Sequence, residues 1–354
     1  MDHGNTLNST PNQRKRNICL IGSGGVGTIA SLVLEKSGRA EVTAVLRSKF
    51  AVIRERGWDI ESVDHGCLKG WRPTRVVSNI VDAVVPNEPF DFIVITTKQL
   101  PEAYSVAELV KPAVSPGHTS IVLIQNGLDI EVPIIAAFPN NTVISGISMI
   151  GSRVNGENCI IHDGPDDLVI GTHFHDGKDR TVQHQQTREF VNIYAAGTVG
   201  PGAISGKCTF TDNMLVARWQ KLLWNSTFNT LCTLLRMDVG ELQSSGGRET
   251  LLIPAMWEVY AIAKAVGHAP AKEMIHHYAY RSSNDCRYRP SMLLDLENNR
   301  PMELEVLLGN PLRKAKQNGV STPILSTVYE LLKVEKWRID HEKGTNILDT
   351  QKFS

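Results

Sequence analysis

Lys221, Asn225 and Asn229 stand at i, i+4 and i+8 in the run Trp219-Gln220-Lys221-Leu222-Leu223-Trp224-Asn225-Ser226-Thr227-Phe228-Asn229, so on a helix they share one stripe. Residues 222–235 carry no charge, and most of such a helix belongs in a core. A lysine heading a polar stripe on an apolar helix is readily desolvated; its pKa falls and it can donate a proton near neutrality. The same spacing also admits a surface lysine near the helix start with two solvated asparagines. Further along, Pro301 suits the first turn of a helix, which puts Glu303 near its N-terminus. On pattern alone an acid there does no more than favour the helix dipole.

A second constellation lies near the start of the chain. The apolar run Asn17-Ile18-Cys19-Leu20-Ile21 meets Gly22-Ser23-Gly24-Gly25-Val26-Gly27, and an amphipathic segment follows without a break. Gly22, Gly24 and Gly27 fit the G-x-G-x-x-G spacing between a strand and a helix. There the glycines serve a tight turn, the approach of a pyrophosphate and close helix–strand packing. A merely tight βα turn is the simpler alternative. The next strand, Glu41 to Leu46, ends in Arg47-Ser48-Lys49 rather than in the acid that a ribose hydroxyl prefers. A guanidinium matches a 2′-phosphate, which favours NADPH over NADH, unless Arg47 only solvates a strand end. Lys98 follows the buried strand Phe90 to Thr96, and Gln125-Asn126-Gly127 follows the strand Ser120 to Ile124. Both sites face the cofactor crevice in a parallel sheet. For Lys98 an ordinary loop lysine remains open, and for Asn126-Gly127 so does a simple turn.

These groups need elements to hold them. The chain has 354 residues, 42% hydrophobic and 21% charged, which suggests a soluble protein of two domains. Strands alternate with helices as far as about residue 207, including strands at 142–150 and 168–171 separated by a glycine-rich loop, and a helix plus edge hairpin within 51–90. That pattern predicts a doubly wound parallel sheet. From Cys208 long helical segments follow, at 212–235, 249–266, 270–280, 301–318 and 323–336. The expected fold is a Rossmann-like α/β domain (17–207) followed by a mostly α-helical domain (208–338), flanked by a disordered tail (1–16) and a polar one (339–354).

Other function classes are disfavoured. Lys plus Arg and Asp plus Glu both total 37, so no net field draws nucleic acid or an anionic membrane. No apolar run is long enough to span a bilayer and the first residues lack a secretory h-region, which points to the cytoplasm. The six cysteines are widely spaced, with Cys19 and Cys232 in apolar runs as buried thiols, and suit a reducing compartment. His173, His175 and His184 have no carboxylate or cysteine at ligand spacing and read as parts of a solvated loop, so no metal is expected.

Taken together, the glycine loop, Lys98, Gln125-Asn126-Gly127, Lys221 with Asn225 and Asn229, and Ser291-x-x-x-Asp295 followed by Arg300-Pro301-x-Glu303 resemble the ketopantoate reductase family over roughly residues 17–335. The resemblance implies hydride transfer from NADPH to the ketone carbon of 2-dehydropantoate, giving (R)-pantoate, a step of pantothenate biosynthesis. Lys221 would be the general acid and Glu303 would orient it and bind the substrate hydroxyl. Asn225, Asn229 and Ser291 would hold the substrate. Asn126 and Lys98 would line the cofactor–substrate junction, and Arg47 would contact the 2′-phosphate. Asn299, Met302 and Glu305 depart from the usual Gly, Thr and Asp. The alternatives are reduction of another branched 2-oxo acid such as 2-ketoisovalerate, and a non-catalytic NADPH-binding sensor. The expected partner is a small 2-oxo acid, and a homodimer is the assembly considered.

Overall fold

A computed structural model of the chain describes residues 14–198 and 206–342. Most of each expected tail, 1–13 and 343–354, lies outside the described residues. Among the described residues twelve strands form two sheets: β1 (Arg16–Ile21), β2 (Ala40–Val45), β3 (Trp58–Ser62), β4 (Gly66–Trp71), β5 (Arg75–Val77), β6 (Phe92–Ile95), β7 (Ser120–Leu123), β8 (Val143–Ser148), β9 (Gly151–Asn155), β10 (Cys159–Gly164), β11 (Asp167–His173) and β12 (Lys207–Phe210). The main sheet runs β12-β11-β8-β7-β6-β1-β2-β5, and β4-β3-β10-β9 make the second.

Every pairing from β5 to β8 in the main sheet is parallel, whereas β8 and β11 pair antiparallel. The sheet is therefore mixed rather than purely parallel. Two local expectations change with it. The hairpin β3–β4 leaves the main sheet for the small one, and residues 151–164 form the hairpin β9–β10 instead of a glycine-rich loop. β12 also carries the sheet past residue 207, to Phe210.

The α/β part holds helices α1 (Gly25–Lys36), α2 (Phe50–Arg56), α3 (Val106–Val110), α4 (Val132–Ala137) and α5 (Arg180–Thr198). Helices then take over: α6 (Met214–Asn225), α7 (Phe228–Leu235), α8 (Val239–Leu242), α9 (Ile253–Ala265), α10 (Glu273–Tyr280), α11 (Ser291–Glu297), α12 (Asn310–Gln317) and α13 (Pro323–Glu342). The fold is thus an α/β sheet domain followed by a helical one. The expected helix at 212–235 is two helices, broken at Ser226-Thr227, where Thr227 leaves helical geometry. The expected helix at 301–318 starts only at Leu304, so Pro301 precedes it. α13 runs on to Glu342, and Arg16 already belongs to β1.

Alternation in the central strands explains how the halves join. Ile18, Leu20, Phe92, Val94 and Val122 point to one face and pack with α1, α5 and the small sheet. Cys19, Ile21, Ile93, Ile95, Ile121 and Leu123 point to the other, into one continuous core with Trp219, Leu222, Leu223, Phe228 and Val259 of the helical part. Successive strand side chains face opposite sides. Parallel strands buried on both faces need the near-continuous apolar runs seen here. The helical part is therefore docked through shared core rather than tethered by a linker, with Leu222 and Leu223 each worth about 2–5 kcal/mol against Ala.

Candidate active site

Open α/β sheets bind ligands beyond the carboxyl ends of their strands, where the strand order reverses. Here that point lies between β1, whose other neighbour is β2, and β6. The glycine loop leaves β1 there. Gly22 has φ +111° and packs on Thr96 and Thr97 after β6; an added Cβ would fall 2.7 Å from Thr96 Oγ1. At Gly27 an added Cβ would fall 2.0 Å from the Gly22 carbonyl oxygen, so only glycine lets α1 approach the strand. Gly25 is pressed equally hard against Ser152 of β9. Gly24 differs: nothing lies within 4 Å of its added Cβ. It is exposed, and it is the N-cap of α1 with no side chain bonded to the helix end. An open helix N-terminus of this kind fits a phosphate. Ser23 and Val26 complete the loop, half-buried.

The candidate catalytic and binding groups meet at the ends of β6, β7 and β8. Lys98 follows β6, and its Nζ donates to the Pro301 carbonyl at 2.8 Å and pairs with Asp295 Oδ2 at 2.7 Å. Asn126 follows β7, where Gly127 (φ +104°) turns so close to Val306 that no side chain would fit. The turn at Asn126-Gly127 is present, and the Asn126 side chain accepts from Asn225. Lys221 on α6 donates to the carbonyl of Ser148, the last residue of β8. Glu303 Oε1 accepts from the Gln99 backbone N–H at 2.8 Å, and its carboxylate also bonds to the Asn126 side chain.

From Asn126 a polar chain continues into the helical part. Asn225 Nδ2 donates to Asn126 Oδ1 at 3.3 Å, Asn229 Nδ2 donates to Asn225 Oδ1 at 3.1 Å, and Ser291 Oγ reaches Asn229 Oδ1 at 3.5 Å. The stripe read from spacing therefore survives the helix break. Asn225 and Asn229 are buried, so the solvated alternative for them falls.

Burial sets the protonation states. Desolvation pulls Lys221 down from the usual lysine range to about 8, helped by the Arg218 guanidinium and opposed by Glu303. Desolvation raises Glu303 to about 6 against the Gln99 N–H and the Lys98 charge. Among the described residues no ion pair joins Lys221 to Glu303; the carboxylate acts on the lysine through space. A half-buried ammonium near a half-buried carboxylate, each shifted toward neutrality, is an arrangement that suits a proton donor and its partner.

Two sequence models of known proteins match the chain: ketopantoate reductase PanE/ApbA over residues 18–174, and its C-terminal counterpart over residues 213–336. The chain belongs to the ketopantoate reductase family. A Saccharomyces cerevisiae protein, described only as uncharacterized, is 35% identical over 92% of this chain and 95% of its own length. The 2-dehydropantoate 2-reductase of a Nostoc species is 27% identical over 90% of this chain and 95% of its own. The crystal structure of 2-dehydropantoate 2-reductase from Methylococcus capsulatus superposes with a TM-score of 0.76 at 31% identity, covering 91% of this chain and 97% of that one. D-mandelate dehydrogenase, solved with NADH and anilino(oxo)acetate, shares the fold at a TM-score of 0.77 and 20% identity. Ketopantoate reductases are nicotinamide-dependent oxidoreductases of 2-oxo acids, and this chain is an oxidoreductase of that type.

Arg47 is exposed in the turn after β2, and its charge reaches Tyr104, whose hydroxyl donates to the Lys98 carbonyl. Sequence reasoning passed over three contributors: the Gln99 N–H, the Ser148 carbonyl and Arg218. Only Arg218 left a signal, as a charge three residues before Lys221 inside a buried helix. The histidine stretch is also drier than expected. His173 ends β11, buried, and burial with the nearby Arg218 charge lowers it to about 3, while His175 Nε2 sits 2.9 Å from the Asn141 carbonyl. No described helix is long and apolar enough to cross a membrane.

Proposed function

We propose that this chain reduces 2-dehydropantoate to (R)-pantoate with NADPH, with Lys221 as the general acid. What carries the reading is the convergence of the desolvated Lys221 with the chain Glu303–Asn126–Asn225–Asn229–Ser291, beside the glycine loop. NADPH, when bound, supplies the hydride for the ketone carbon. Lys221 gives its proton to the oxygen as negative charge develops there, and because the surroundings are dry that charge is strongly stabilised. Glu303 holds Asn126 and accepts the substrate hydroxyl. Asn225, Asn229 and Ser291 orient the remainder of the substrate. Lys98, braced by Asp295, keeps a positive charge at the junction with the cofactor.

The glycine loop fits a dinucleotide: Gly24 is open to a pyrophosphate and α1 presents its N-terminus there. Arg47, standing where an acid would select NADH, supports the phosphorylated cofactor. Glu303 supports 2-dehydropantoate over 2-ketoisovalerate, because a site built to bond a hydroxyl rejects an analogue lacking it. A non-catalytic sensor would have no use for Lys221 and Glu303 together, and both are present.

The test follows NADPH oxidation with 2-dehydropantoate, 2-ketoisovalerate and longer 2-oxo acids. Preference for 2-dehydropantoate is expected. A large preference for 2-ketoisovalerate overturns the substrate, and no turnover with any of them overturns the activity.

A further inference from the structure

The least expected side chain near the site is Arg218. It is 2% exposed, in the interior between α6 and the sheet. Its Nη1 donates to the carbonyls of Gln125 at 3.1 Å and Gly127 at 2.9 Å, the two that flank Asn126. Its Nε donates to Ser145 Oγ on β8 at 2.9 Å, and Nη2 bonds to the same oxygen. Among the described residues no carboxylate lies within ion-pair distance of it. Glu131, at the start of α4, faces it at longer range, next to the neutral His173. A buried arginine without an ion pair is costly to keep. Here it commits its donors to the backbone of one catalytic loop while sitting three residues before Lys221 on the same helix face.

We propose that Arg218 is a positioning residue for the reduction: it ties α6 to the carbonyls on either side of Asn126, and so sets Lys221 against the Asn126–Glu303 pair while holding a fixed positive charge beside the lysine. With the Gln125 and Gly127 carbonyls held, the peptide groups before Asn126 and after Gly127 are fixed, and the Asn126 side chain stays aimed at Asn225 and Glu303. The planar fork makes these bonds together, which a lysine ammonium cannot do. The charge has a separate effect: it disfavours the protonated Lys221, and Glu303 opposes it. The reading rests on Lys221 as the acid, so the test keeps a readout that needs no substrate.

Arg218→Met and Arg218→Lys are compared with the unaltered enzyme by steady-state kinetics and by competitive acetylation of Lys221 across neutral to alkaline pH, read by mass spectrometry. In Arg218→Met, kcat falls about tenfold or more with the KM for NADPH little changed. The acetylation midpoint of Lys221 moves up by at least about half a pH unit, because a neighbouring cation has gone. In Arg218→Lys, kcat falls similarly but the midpoint stays near that of the unaltered enzyme, since the charge remains. An unmoved midpoint in Arg218→Met overturns the electrostatic part. A kcat within about twofold of normal in Arg218→Lys overturns the positioning part, and does so even if Arg218→Met fails to fold. If the unaltered enzyme turns over no 2-oxo acid, the proposed activity falls, and the acetylation midpoints still decide the influence of Arg218 on Lys221.

Discussion

The glycine loop and the polar cluster beyond β6, β7 and β8 are built in opposite ways. The loop is six consecutive residues between one strand and one helix, and three of its four glycines answer a contact within that βα unit or just beside it: Gly27 with Gly22, Gly22 with Thr96, Gly25 with β9. The polar cluster gathers Lys98, Asn126, Ser148, Lys221, Ser291 and Glu303 from six separate segments, joined by side-chain and backbone bonds across more than two hundred residues of chain. A local motif can be read from spacing because local geometry enforces it. A distributed site can be read only as a set of residues with the right chemistry, until the fold says which of them meet.

The largest expected effect separates the two regions. Lys221→Ala cuts kcat by about 100-fold or more while NADPH affinity changes by less than about twofold, measured by turnover and by cofactor titration. A comparable loss of cofactor affinity would mean that polar cluster and loop are not separable.

The next contrast lies inside the loop. Gly27→Ala drives a methyl group into the Gly22 carbonyl and lowers stability by about 2 kcal/mol or more in chemical denaturation. Gly24→Ala meets no protein atom, so its denaturation midpoint stays and only NADPH affinity falls. Unchanged NADPH affinity in Gly24→Ala would show that the gap at Gly24 has no bearing on ligand binding.

Smaller again is the selectivity of the cofactor's distal end. Arg47→Ala weakens NADPH by about tenfold and leaves NADH nearly unchanged. Equal losses for the two cofactors would show that Arg47 does not read the phosphate.

The mildest perturbation is pH. Lys221 must be protonated to donate, so kcat/KM falls as pH rises through about 8. Glu303 accepts hydrogen bonds as a carboxylate, so activity also falls as pH drops through about 6. Glu303→Gln removes the acidic limb and keeps the alkaline one. A profile flat above pH 8 would take Lys221 out of the acid role.

Much of this architecture is legible in the sequence. The βα unit, the strands ending at Lys98 and Asn126, and the switch to helices follow from apolar runs, glycine spacing and helical periodicity, all local quantities. The failures share one cause. The antiparallel β8–β11 pairing, the separate small sheet and the break at Ser226-Thr227 depend on what packs against those segments. Glu303 shows the same limit: by pattern it is an acid favouring a helix dipole, yet it lies before its helix and bonds to Gln99 and Asn126, which follow distant strands.

By itself, the sequence determined the α/β-then-helical order, the phosphate-ready loop and the family to which the chain belongs, because short-range sterics and hydrophobic period are written in neighbouring residues. Only the tertiary structure decided that Lys221 is half-buried and desolvated, that Glu303 reaches it by field rather than by contact, and that Arg218 grips the Asn126 loop. Desolvation and charge coupling depend on distances through space, and those exist only once the sheet and the helices share a core.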